Sequence, residues 1–177
     1  MEEKNKRIQR FKNGPPLEVI ETLLYSIDNF FNNEIDMARK RQQPHLIILG
    51  IHAVALTISE ALFNLQGPTG YKAFLEKFID GDKPDIKFSK ISDDIHKFRN
   101  NIAHQWLSES GYTFGIDTTT QLGWHKRNDI TLFNPYIYCD KYIEAFSSNG
   151  KIREWKKLLT NHEQESAKNK IIKKYHQ

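Results

Sequence analysis

The chain has 177 residues, a size that fits one domain, and carries 26 Lys+Arg against 22 Asp+Glu for a formal net charge of +4. One cysteine excludes an internal disulfide framework and the zinc sites built from two to four thiolates. The charge is uneven: residues 1–13 hold five basic and two acidic side chains, residues 151–177 hold eight and three, and the stretch between is net negative. Residues 1–13 read as a basic N-terminal arm, too polar for the apolar core of a signal peptide.

Gly14-Pro15-Pro16 ends that arm, and a proline in the first helical turn opens a helix predicted to run to about Gln43. Its apolar positions, from Leu17 through Ile20, Leu24 and Ile27 to Phe30, Phe31 and Met37, mostly follow three-and-four spacing. Pro44 restarts the chain. A second helix over about 44–65 is apolar nearly all round, which marks a central buried element. Its longest apolar run, Leu46 to Ile58, is shorter than the ~20 residues a bilayer span requires. The expectation is a cytoplasmic protein without membrane attachment. His52, inside this helix, reads as a core histidine.

Gly67-Pro68-Thr69-Gly70 reads as a stop, followed by a short helix over about 70–79 and a helix over about 89–108. Beyond it, 112–117 and 129–133 have strand composition and predict a β-hairpin over about 112–133. Trp124-His125-Lys126-Arg127 then falls at the hairpin tip, where a ring and up to three positive donors suit RNA contact. Pro135 opens a helix to about Phe146 in which Cys139 has no catalytic signature. Residues 151–177 form a basic helical extension able to grip a nucleic-acid backbone. The fold class is mainly α: a body over 14–150 of four to five helices with a small appended hairpin.

The helix over 89–108 carries the chemistry. Stepped at about 100° per residue, Ile95, Phe98, Ile102 and Trp106 fall within about 80° of one another as an apolar stripe. His96, Asn100 and His104 fall almost opposite, at about 140°, 180° and 220° from Ile91, with Arg99 on the shoulder. A solvated helix face would read similarly. Two adjacent asparagines, however, lower helix propensity where Glu, Lys or Gln would raise it.

Arg99-Asn100-Asn101-Ile102-Ala103-His104 resembles the Arg-x4–6-His motif of HEPN domains, small helical bundles that include metal-independent ribonucleases of toxin–antitoxin and antiviral defence systems. The resemblance covers about residues 15–147 and implies His104 as acid/base, Arg99 as phosphate ligand and Asn100 as supporting polar group. It further implies a homodimer with a composite cleft, RNA as partner, no cofactor or metal, and an antitoxin or regulatory protein as a further partner. His96 and Asn101 are auxiliary candidates. Two alternatives stand beside it: a catalytically inactive binding or protein-interaction module of the same fold, and an unrelated helical adaptor. Histidine suits RNA self-cleavage because its ordinary pKa lies near neutrality, and arginine because its planar fork stays charged. No histidine pair has the spacing of a metal site, and no P-loop, GxGxxG or GxSxG occurs.

Overall fold

A computed structural model describes residues 9, 12–105 and 113–175. It is mainly helical with a small three-stranded sheet. Pro16 opens α1 (Pro16–Ser26), which passes through a π-helical stretch at Ile27–Asn32 into α2 (Asn33–Lys40). Each π turn inserts extra backbone and rotates the residues beyond it about the helix axis. Phe30 and Phe31, on the expected apolar face, consequently stand 69% and 50% exposed, while Ile35 and Ala38 return to the core.

Pro44 starts α3 (Pro44–Ile58), continued by a π-helical end at Ser59–Phe63. The two together span 20 residues, with an 18-residue window of mean hydropathy 2.1, long and apolar enough to cross a membrane, and more than the shorter apolar run read from sequence. Here that length is the protein's own core: Ile47, Ile48, Ile51, His52, Ala55 and Ile58 are fully buried. Packed on α3 are α2, α4 (Gly67–Phe74, extended by a π turn to Ile79), α5 (Ser92–Gln105) and α6 (Pro135–Phe146). Gly67 and Pro68, expected to stop a helix, instead supply the first two residues of α4. Asn64, left-handed at φ 58°, is what ends the preceding one.

The sheet departs from the predicted hairpin. Its strands are β1 (Phe114–Ile116), β2 (Trp124–Arg127) and β3 (Ile130–Phe133), ordered β1-β3-β2. The two segments expected to form the hairpin, β1 and β3, run parallel, while β2 and β3 form the antiparallel pair. The turn is Asn128-Asp129, both at positive φ (47° and 63°), the conformation a two-residue hairpin loop demands and Asn and Asp tolerate. Trp124 to Arg127 are therefore an edge strand rather than a tip. The sheet seats closely on the body at Gly123, where a Cβ would lie 2.5 Å from the Asp85 carbonyl oxygen.

α7 (Lys151–Lys156) and α8 (Asn161–Tyr175) belong to the same core. α8 lies along α1 and buries Ala167 and Ile171. Both helices bring basic side chains against acidic or carbonyl groups of the body. Arg153 pairs with Asp28 (2.9 Å), Lys156 with Glu21 (2.6 Å) and Lys174 with Glu60, and Lys168 donates to the Gly14 carbonyl (2.8 Å). The basic extension folds onto the acidic body. Such partly exposed pairs contribute at most about 1 kcal/mol each, but they occupy cations expected to be available to RNA.

Candidate functional site

α5 opens at Ser92 with Asp93 and Asp94 in its first turn, where carboxylates favour the positive end of the helix dipole. Ile95 and Ile102 are buried as the stripe predicts, and Phe98 packs against the core. Trp106 lies outside the described residues. His104 sits in the last turn of α5, and its side chain lies outside the described residues as well.

His96 does not point away from the core as its angular position implies. Its Nδ1 lies 2.8 Å from Nε2 of His52, the buried histidine of α3, and the two rings are 4.9 Å apart. The reason is that α5 is packed on two sides, by α3 and α4. A helix wheel with one apolar centre underestimates the buried arc of such a helix. Only Asp93, Lys97 and Ala103 are exposed among its described side chains, and Arg99, Asn100 and Asn101 are half-buried.

Beneath the imidazole pair lies more buried polarity. The Tyr71 ring of α4 stands 4.5 Å from the His52 ring, and its hydroxyl meets that of Tyr138 on α6 at 3.0 Å, both tyrosines fully buried. Burial, the first cause, holds both phenols above their ordinary pKa. Arg99 donates from Nη1 to Asn100 Oδ1 at 3.0 Å, while its Nε is buried without a partner. Two residues of the expected motif are thus in contact.

The site is kept from gaining charge. Burial, then the Arg99 cation, then His96 lower the His52 pKa to about 3. Burial and Arg99 also lower His96, with Asp93 acting in the opposite sense. Since the unfolded chain binds a proton near pH 6.5 and the folded His52 does not, stability is lost as pH falls from about 6.5 toward 3, by up to about 1.4 kcal/mol per pH unit. Urea denaturation across this range should show that loss, and His52→Phe should flatten it; an equal slope in the variant would contradict the assignment.

The other expected residues are not gathered here. Along β2, alternate side chains point to opposite faces, so Trp124 and Lys126 are separated from His125 and Arg127. Trp124 Nε1 and His125 Nδ1 are buried without partners, whereas Lys126 and Arg127 are exposed. Cys139 is buried, its thiol pushed up to about 12 chiefly by burial, which suits a packing role. Among the described residues no group of three His, Cys, Asp or Glu side chains is placed to hold a metal. In a cleft of about 530 Å³ near Asp80 and Lys141, several of the lining polar groups are already engaged: Lys141 with Glu144, Lys151 with the Asp80 carbonyl, Asp80 with Ser89.

His52 is the member of the cluster that sequence reasoning misses, since it reads as core alone. The signal is present: an imidazole inside an otherwise apolar central helix must find a polar partner, and the polar helix supplies one.

No family model, no curated protein and no solved structure matches the chain.

Proposed function

We propose that this chain is a metal-independent RNA endonuclease of HEPN type, acting as a homodimer in a toxin or antiviral defence setting. The observation that carries this reading is Arg99: half-buried, bonded to Asn100 and acting, after burial, to hold two imidazoles neutral, on the helix that also bears His104. The guanidinium would bind the scissile phosphate and stabilise its crowded transition state. His104 would transfer protons. The RNA 2′-oxygen loses its proton and attacks phosphorus, the P–O5′ bond breaks, and the leaving oxygen is protonated, giving a 2′,3′-cyclic phosphate and a 5′-hydroxyl. Two copies of α5 across a two-fold axis would double the proton-transfer groups.

The test is cleavage of RNA in excess EDTA by the wild type, Arg99→Ala and His104→Ala. Chelator-resistant cleavage with cyclic-phosphate ends, lost by at least about 10²-fold in each variant, is the expected result. Cleavage surviving both substitutions would remove the site assignment. A second reading, a non-catalytic protein-interaction module, is favoured by the exposed aromatic side chains Tyr25, Phe30 and Phe31 on the first helical segment. It gains if purified wild type cuts no RNA and its expression harms no host.

A further inference from the structure

The hydrogen bond between the two histidines has a direction, and the surroundings decide it. One proton lies between His52 Nε2 and His96 Nδ1. The other nitrogen of His52, Nδ1, is buried and has no partner. If His96 donated, neutral His52 would carry its proton on Nδ1 and bury an N–H with no acceptor. If His52 donates, Nδ1 is a bare lone pair. A buried acceptor left alone is tolerated better than a buried donor. Neutral His96 must then carry its proton on Nε2. That nitrogen has no hydrogen-bond partner among the described residues, yet it is not sealed from solvent.

We infer that His96 is an anion ligand of this site: its Nε2–H, fixed in that tautomer by His52, donates to an oxygen of a phosphate group held by Arg99. His52 is the positioning residue behind it. That the phosphate belongs to an RNA backbone rests on the function proposed above; the ligand geometry does not. A neutral donor beside a permanent cation divides the work. Arg99 supplies charge, and His96 supplies direction without adding a second buried charge that would need compensation.

The groups facing the pair agree with this assignment. From α3 there is His52 itself; from α4, the Tyr71 ring, whose hydroxyl is turned to Tyr138 of α6; from α5, Arg99 and the carboxylate of Asp93. None of the bonds formed by these groups engages Nε2 of His96.

The tautomers are read directly by long-range proton–nitrogen correlation spectra of the full chain labelled at histidine and arginine nitrogens. Expected at pH 7 are a proton on Nε2 and a bare Nδ1 for both His52 and His96. Inorganic phosphate, titrated as probe, should shift His96 Nε2 and Arg99 Nε together and saturably. His96→Phe should weaken phosphate binding by about tenfold, the loss expected for one hydrogen bond to a charged group, and His96→Gln, which keeps an N–H donor, should restore part of it. His52→Phe should leave Arg99 responsive while His96 loses its single tautomer. A proton on Nδ1 of His96, or phosphate shifting Arg99 but not His96, would overturn the inference. Both readings on the wild type are independent of whether any variant folds. If phosphate binds as described while no RNA is cut, the ribonuclease reading fails and the ligand assignment stands.

Discussion

Arg99→Met is expected to lower RNA cleavage by about 10³-fold while leaving the protein more stable, by about 1 kcal/mol. The two effects have one origin. Arg99 Nε is buried with no acceptor, a donor that folding removes from water without replacement. Its charge also works against the adjacent imidazoles, as the second cause, after burial, of the lowered His52 and His96 pKa values. Methionine fills similar length with a flexible apolar chain and needs no hydrogen bond. The bond to Asn100 Oδ1 is lost, but that amide is only half-buried and water can replace the donor. A residue expected to cost stability beside two histidines fits the trade-off of a site built for chemistry. Removing the cation should also bring the folded His52 pKa closer to its ordinary value. The difference in bound protons between folded and unfolded chains then shrinks, and less stability is lost below pH 6.5. Urea midpoints at pH 7 and pH 5, with single-turnover cleavage in EDTA, check all three parts. A variant less stable by about 2 kcal/mol or more would mean that Arg99 serves the fold, and undiminished cleavage would remove it from the reaction.

Much of this arrangement is legible in the sequence, and the parts that are not have specific causes. Punctuation by proline locates the starts of α1, α3 and α6 because proline removes a donor the first helical turn does not use. The all-round apolarity of α3 identifies the centre of the core. Three-and-four spacing misplaces Phe30 and Phe31 because constant rotation per residue fails across the π turn at Ile27–Asn32. A helix wheel puts His96 in solvent because it knows the residues of α5 but not that α3 and α4 flank it from two directions. The hairpin is misassigned because strand composition alone does not say which strands pair. Asn128-Asp129 carries the turn chemistry, and the charges of the segment before it, Trp124 to Arg127, disguise an edge strand as loop. Of the candidate site, the motif spacing singles out Arg99 and Asn100, which are in contact, while the imidazole of His52 in an apolar helix signals a polar partner whose identity, His96, only packing reveals.

Phe133→Ala is expected to destabilise the protein by about 4 kcal/mol and to lower its Tm by about 10 °C, although the residue belongs to what the sequence suggests is an appended hairpin. Phe133 is fully buried at the end of β3, with ring centroids 5.9 Å from Phe88, 5.8 Å from Phe114 and 5.5 Å from Tyr138. Its loss opens a cavity bounded by the 3-10 turn Phe88–Ile91, the strand β1 and the helix α6, three elements that cannot close in together. Phe133→Leu keeps most of the volume and should cost less than about 1.5 kcal/mol. Leu132, half-buried on the opposite side of the strand, gives the comparison: Leu132→Ala should cost well under half as much as Phe133→Ala. The consequence extends to the site. Phe114 stands 5.4 Å from Phe98, the residue on α5 immediately before Arg99, so the sheet supports α5 through this pair of rings. With Phe133 truncated, β1 loses its backing and α5 a neighbour. Phosphate affinity at Arg99 should therefore fall severalfold at temperatures where the variant is still folded, and in Leu132→Ala it should not. Equal stability losses in the two alanine variants would return the sheet to the status of an appendage. An unchanged phosphate affinity in Phe133→Ala would separate it from the site.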